Sequence, residues 1–247
     1  MQKRRKIGLI GAMPQELQAV VDLIEEVKEI EMGSRIYYEG KIKDQEVVAV
    51  FSRSGKVAAA ISVCNLILHF EVDEVIFIGV AGGVKRDLKV GDVVIADRLI
   101  QHDVDARPVM PQYEIPFLGV TYFQSDKGRS ERAFSAARNF LEEGLPADLK
   151  DRFNIHSPRV IYGDIASGDQ FFAAEADVLA LGEALPSVAC VEMEGAAVAQ
   201  ACYEYDIPFT VIRTISDGAD EDAGVNFQDF ADNVANLYGA AIIEAML

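Results

Sequence analysis

The run from Val188 to Asp220 limits what this chain can fold into more than any other. It holds an apolar strand-length segment, a helix-length segment and a second apolar strand, with polar groups at both strand exits. The first strand, Val188 to Val191, delivers Glu192, Met193 and Glu194 where the helix begins. The second, Phe209 to Ile215, carries Arg213 and delivers Ser216 and Asp217 at its end. Strands alternating with helices indicate an α/β layer, and in open α/β sheets ligands bind in the crevice at the carboxyl ends of the strands. Glu194 and Asp217 are thereby predicted to face one crevice.

The rest of the chain continues the alternation. Ile7 to Gly11 reads as a buried strand leading to Ala12-Met13-Pro14, and Pro14 suits the first turn of a helix. Leu17, Val20, Val21 and Ile24 supply that helix with one apolar face, and Glu16 falls in its first turn. Alternating runs at Arg35–Ile42 and Glu46–Phe51 predict a hairpin turning at Lys43-Asp44-Gln45. The polar turn 52–56 opens a helix from Val57 to Phe70. A strand at Glu74–Ile78 is expected to end in a glycine turn, Gly79-Val-Ala-Gly-Gly83, and another spans Val90–Ile100, interrupted at Gly91-Asp92. Residues 102–120, with Pro108, Pro111 and Pro116, predict an irregular loop. Then follow a helix at Arg129–Leu141, a strand at Arg159–Tyr162 leading into 163–172, a helix at Ala174–Ala184, and a closing helix at Phe227–Met246. With no repeat or linker, residues 1–247 are expected to form one α/β domain.

Charge narrows the partners. The 23 basic and 40 acidic residues give a formal charge of −17, which argues against nucleic-acid or anionic-membrane surfaces, since both require a positive field. A nucleoside carries no phosphate and is not excluded. Cys64, Cys190 and Cys202 lie in apolar runs without CxxC spacing, as buried thiols of a reducing compartment do. The basic start, Lys3 to Lys6, precedes an apolar run broken by Gly8, Gly11 and Pro14, too short for a signal segment; a cytoplasmic protein is expected.

Elimination leaves carboxylates. The strand-exit glycines match neither a dinucleotide fingerprint nor a P-loop. His69, His102 and His156 are scattered, and His102-Asp103-Val-Asp105 lacks the remaining ligands of a zinc site, so no metal is expected. No G-x-S-x-G elbow supports a nucleophilic serine. Glu16, Asp169, Glu192, Glu194 and Asp217 remain at strand exits. Carboxylates in twos and threes suit glycosyl chemistry, where one acid protonates the leaving group and one base activates water.

Seven segments in this order resemble the 5′-methylthioadenosine/S-adenosylhomocysteine nucleosidases of the purine/uridine phosphorylase group. They are Ile10-Gly-Ala-Met-Pro-Gln-Glu16, Gly55-Lys-Val-Ala-Ala59, Gly79-Val-Ala-Gly-Gly83, Val90-Gly-Asp92, Ala166-Ser-Gly-Asp-Gln-Phe171, Val191-Glu-Met-Glu194 and Arg213-Thr-Ile-Ser-Asp217. The resemblance implies a central twisted mixed β-sheet flanked by helices, no cofactor, and hydrolysis of the adenine–ribose bond. It implies that Glu16 activates water, that Asp217 protonates adenine N7 with Ser216 and Arg213 fixing its carboxyl, and that Glu194 holds the ribose diol over Met193. Phe171 would stack on adenine, the backbone at Phe172 read its edge, and Phe227 line the pocket. Ala12, Met13, Ala81, Gly82 and Glu192 complete the implied site.

The chain departs from the family at Arg53 and Ser54, where many members carry glycine and isoleucine beside the ribose 5′ side. It departs again in the proline-rich segment 105–117, where a neighbouring subunit of the implied homodimer would close the pocket with Val109, Met110, Tyr113 or Phe117. Three other readings stay open: a phosphorylase, if Arg53 or Arg107 converged on phosphate; a binding protein on the same fold; and hydrolysis of 6-amino-6-deoxyfutalosine.

Overall fold

The computed structural model describes residues 5–217 and 223–247, and of 223–226 the backbone alone. Lys3 and Arg4 of the basic start, and the end of the Val188–Asp220 run at Gly218-Ala-Asp220, lie outside the described residues. In chain order the elements are β1 (Lys6–Gly11), α1 (Pro14–Val21), β2 (Glu25–Met32), β3 (Arg35–Ile42), β4 (Gln45–Phe51), α2 (Lys56–Leu68) and β5 (Glu74–Gly83). Then come β6 (Val93–Gln101), β7 (Phe123–Gln124), α3 (Lys127–Glu143), α4 (Ala147–Arg152), β8 (Val160–Ser167) and α5 (Glu175–Ala184). The chain closes with β9 (Val188–Glu192), α6 (Gly195–Glu204), β10 (Phe209–Asp217), α7 (Ala223–Phe230), a π-helical turn (Ala231–Ala235) and α8 (Asn236–Met246).

The mixed sheet is organised about β5. It runs parallel to β1 and to β10, and its last two residues, Gly82 and Gly83, pair antiparallel with Val191 and Cys190 of β9. β10 goes on to antiparallel β6, β6 to parallel β8, and β8 to parallel β9, so these strands close a ring on β5. From β1 the sheet continues as an open wing through β4, β3 and β2. The carboxyl ends of β1, β5, β9 and β10 thereby meet at one place.

Both faces are covered, which is why the inner strands read as unbroken apolar runs. Along β4, Val48 and Val50 belong to the apolar layer that holds Ala59 and Val63 of α2 and Val198 of α6, while Val47 and Ala49 belong to the layer that holds Leu17 of α1 and Ile242 of α8. Ile7 and Leu9 of β1 point to the second layer and Ile10 to the first. This alternation is the strand period of two.

Several boundaries differ from those predicted. The segment Gly79–Gly83 is not a turn; it continues β5 in extended register with Arg213–Asp217. Likewise β8 runs through Gly163 to Ser167, paired on both sides. In each case glycine provides clearance inside a strand: a Cβ on Gly163 would stand 2.6 Å from that of Ala189. Strand β2 has no apolar alternation because it is the sheet edge, and its Glu25, Glu26, Lys28, Glu29 and Glu31 guard that edge against further pairing. Helix α1 stops at Val21, and Ile24 joins the same apolar layer from beyond it. The closing helix is interrupted by the π-helical turn.

Candidate active site

Glu16 is held from both sides by backbone. Met13 is the N-cap of α1 and Pro14 begins the helix, which places Glu16 at the third helical position, where a glutamate folds back on the cap. Its Oε2 accepts from the N–H of Ala12 (2.7 Å) and of Met13 (3.0 Å), and its Oε1 from the N–H of Val80 on β5 (3.0 Å). Burial pushes its pKa up, while the Arg213 guanidinium and these backbone donors work in the opposite direction. The approach of Glu16 requires glycine at position 79, since a Cβ there would lie 2.6 Å from Oε1 and 3.0 Å from Nη1 of Arg213.

Glu194 stands at the N-cap of α6, beyond the end of β9. Its Oε1 accepts from the Gly55 N–H at 2.7 Å, which ties it to the turn that opens α2. Burial, and next the charge of Glu192, raise its pKa to about 8. Asp217 ends β10. The register of β10 on β5 shifts between Ile215 and Asp217, and such a bulge re-aims the side chain that follows it. The Ser216 hydroxyl donates to Asp217 Oδ2 at 2.7 Å and also stands 3.4 Å from the Ala81 carbonyl.

These groups meet on one cavity of about 180 Å³. Glu16, Glu192, Glu194 and Asp217 line it together with Ala12, Met13 and Met193. Ala81 and Gly82 form its β5 wall, and Phe171, Phe172 and Phe227 stand on another side. Phe171 and Phe227 meet edge to face with centroids 5.7 Å apart, and Phe172 packs edge-on against His102 at 5.2 Å. Val80, Gln170 and Val191 also line the cavity without having been singled out in the sequence, although each lies inside a motif quoted there. Ser54, noted as a departure, is a lining residue too.

Three side chains have protein partners of their own. Arg213, expected to fix the Asp217 carboxyl, directs its Nη2 to Glu192 Oε2 at 2.6 Å and lies 4.0 Å above the Phe77 ring. Among the described residues that line the cavity, neither Arg213 nor Ser216 is found. Glu192, expected among the substrate ligands, has its carboxyl occupied: it accepts from the N–H of Glu194 and Gly195, from Ser167 and from Arg213. Asp169 is absent from the cavity lining; its Oδ1 accepts from the Lys56 N–H at 2.8 Å and so satisfies an otherwise unpaired donor at the start of α2.

A ring-closed mixed sheet with carboxylates at its converging strand ends defines a class before any particular protein. The family model described as the phosphorylase superfamily matches residues 6–247. The chain is 38% identical over 240 residues to a 5′-methylthioadenosine/S-adenosylhomocysteine nucleosidase of Haemophilus influenzae, covering 97% of each. It is similar to the Streptococcus pneumoniae nucleosidase solved with the transition-state inhibitor MT-ImmA, with a TM-score of 0.84, 36% identity, and 98% and 97% of the two chains covered. It is also similar to a futalosine hydrolase of Helicobacter pylori, with a TM-score of 0.86, 31% identity, and coverage of 100% and 98%. The chain belongs to the phosphorylase superfamily and, within it, to the family of 5′-methylthioadenosine/S-adenosylhomocysteine nucleosidases.

Proposed function

We propose that this protein hydrolyses the N-glycosidic bond of 5′-methylthioadenosine and S-adenosylhomocysteine and releases adenine. The observation that carries this reading is the cavity lining: four carboxylates, and among the described residues no cationic side chain. In the reaction Glu16 takes a proton from water as its oxygen bonds to the ribosyl C1′. The bond from C1′ to adenine N9 breaks, and Asp217 delivers its proton to N7. Adenine is a poor leaving group as an anion, so the acid matters as much as the base. Glu194 accepts hydrogen bonds from the 2′,3′-diol, and Met193 packs under the sugar. Phe171 stacks on the base, Phe227 closes it from the side, and the backbone at Phe172 reads its edge. Ser216 orients Asp217, and Arg213 acts through Glu192.

A phosphorylase would need cations converging on phosphate. Arg53 donates instead to the Ser34 carbonyl at 2.6 Å, and Arg107 is paired with Asp105. The futalosine hydrolase likeness supports a second reading, in which 6-amino-6-deoxyfutalosine enters the same cavity with its bulky 5′ group beside the polar Ser54. Comparing kcat/KM on the three nucleosides separates these readings. Methylthioadenosine and S-adenosylhomocysteine should lead, and a dominant value on aminofutalosine would favour the second.

Residues 1–247 are read as one nucleosidase domain working as a homodimer. Val57, Ile61 and Leu68 form an exposed apolar stripe along α2, and Val109 and Phe117 are 80% and 94% exposed in the 102–120 loop. Covering them with a second copy removes an apolar patch that a monomer would leave in water. No helix of the described residues is long and apolar enough to cross a membrane. A cytoplasmic location accords with the free Cys64, Cys190 and Cys202.

A further inference from the structure

Glu192, at the edge of the cavity, accepts five hydrogen bonds. Its Oε1 accepts from Gly195 N–H (3.0 Å) and from the Ser167 hydroxyl; its Oε2 accepts from Glu194 N–H (3.1 Å), Gly195 N–H (2.8 Å) and Arg213 Nη2 (2.6 Å). Two carboxylate oxygens offer about four acceptor sites, so no capacity is left for a ligand. Ser167, the last residue of β8, is itself fixed by the Ala196 N–H at 2.7 Å. The Glu192–Arg213 pair is almost wholly buried, with side chains 4% and 1% exposed. Clearance around Gly79 shows what lies at the other end of Arg213: the same missing Cβ would meet Glu16 Oε1 and Arg213 Nη1 together.

We propose that Glu192 is a positioning residue that touches no substrate and, braced by Ser167 and bonded to Arg213, sets where Glu194 and Glu16 stand relative to each other. The idea rests on the hydrolase reading above and adds a role to it. One end of the strut fixes the backbone from which Glu194 projects. The other fixes the guanidinium that faces Glu16. Sugar-side and water-side carboxylates come from different elements, β9–α6 and α1, and this buried chain of contacts joins their frames. The charged and titratable groups facing Glu192 are Arg213 from β10, Glu194 from its own turn, His102 beyond β6, and Cys190 on β9. Glu16 faces the same guanidinium from α1.

Every partner of Glu192 is a donor, so glutamine at this position must turn its NH₂ toward another donor and loses the charge as well. The test is Glu192→Gln, assayed for nucleoside turnover across pH and for binding of free adenine, which needs the base site but not the strut. The expected result is a loss of roughly 10²-fold in kcat/KM, the size of effect that misplacing reacting groups by about 1 Å produces. Adenine affinity should stay within threefold. The acid limb of the kcat/KM profile should move to lower pH, because Glu194 loses a like charge and Arg213 loses its counter-charge beside Glu16. A loss under threefold, an unmoved acid limb, or parallel loss of adenine binding would each overturn the proposal. If Glu192→Gln does not fold, Ser167→Ala removes one brace and keeps the charge. It should then lower kcat/KM with adenine binding retained, and wild-type kinetics would overturn the proposal. Failure of the hydrolase reading is distinct, since it would appear as no adenine release by the unmodified protein.

Discussion

Glu16 has three backbone N–H groups aimed at its two oxygens, and all three favour the ionised carboxylate that burial opposes. A base held in that balance takes a proton without needing to be rebuilt in the act. Glu16→Gln should therefore abolish turnover by roughly 10²–10⁴-fold, as loss of a general base does. It should also cost about 1–3 kcal/mol of stability, because an amide NH₂ would face backbone donors. Adenine release and a denaturant titration measure the two effects. Asp217→Asn should lose activity to a similar degree, read by the same adenine-release assay. At Gly79 a methyl would press on Glu16 Oε1 at 2.6 Å. Gly79→Ala should lower kcat and destabilise by about 1–3 kcal/mol, the usual cost of overpacking. Wild-type kinetics in that variant would show that Glu16 is not placed by this clearance.

At the scale of elements, the site depends on where strands stop, and this is where sequence and structure part. The runs of Val188–Val191 and Phe209–Ile215 are legible because both are buried on both faces, and Glu194 and Asp217 follow from their ends. The hairpin of β3 and β4 is legible from alternation and its polar turn. The continuation of β5 through Gly79–Gly83 was not, since glycine reads as a turn when it is really clearance for Glu16 and Arg213. Nor was β2, whose charges reflect an edge and not a pleat. The direction of Arg213 could not be read either, because a residue inside a strand does not declare which neighbouring carboxylate it will reach across the sheet. The π-helical turn belongs to the same category. It precedes Asn236, whose Oδ1 accepts from the Ala19 N–H at 3.1 Å, and Gly239, where a Cβ would stand 2.8 Å from the Glu16 carbonyl. Gly239→Ala should therefore reduce activity by displacing α1, although it lies far from the cavity in sequence. Unchanged kcat and KM would remove α8 from the account of Glu16.

For the molecule as a whole, buried acids link stability to pH. The folded pKa of Glu194 is raised to about 8, and that of Glu16 is raised as well, while both titrate near 4.5 when unfolded. Below about pH 4.5 these groups are protonated in both states. Between there and about pH 8 folded Glu194 holds a proton that the unfolded chain releases, so its contribution to stability is lost as pH rises through the folded value, and the raised Glu16 acts in the same direction. The Tm should fall across that window, and Glu194→Gln should flatten part of the slope; an unchanged slope would mean that Glu194 is ionised at rest. The α2 stripe makes a second prediction at this scale. The unmodified protein should sediment as a dimer and the Val57→Glu, Leu68→Glu variant as a monomer, and a variant that stays dimeric would place the interface elsewhere. The most direct test of the central claim is turnover of methylthioadenosine in ¹⁸O-labelled water, with and without phosphate. The account predicts adenine and a free sugar carrying ¹⁸O at C1, at a rate indifferent to phosphate. A phosphate-dependent rate giving a sugar 1-phosphate, or no adenine at all, would contradict it.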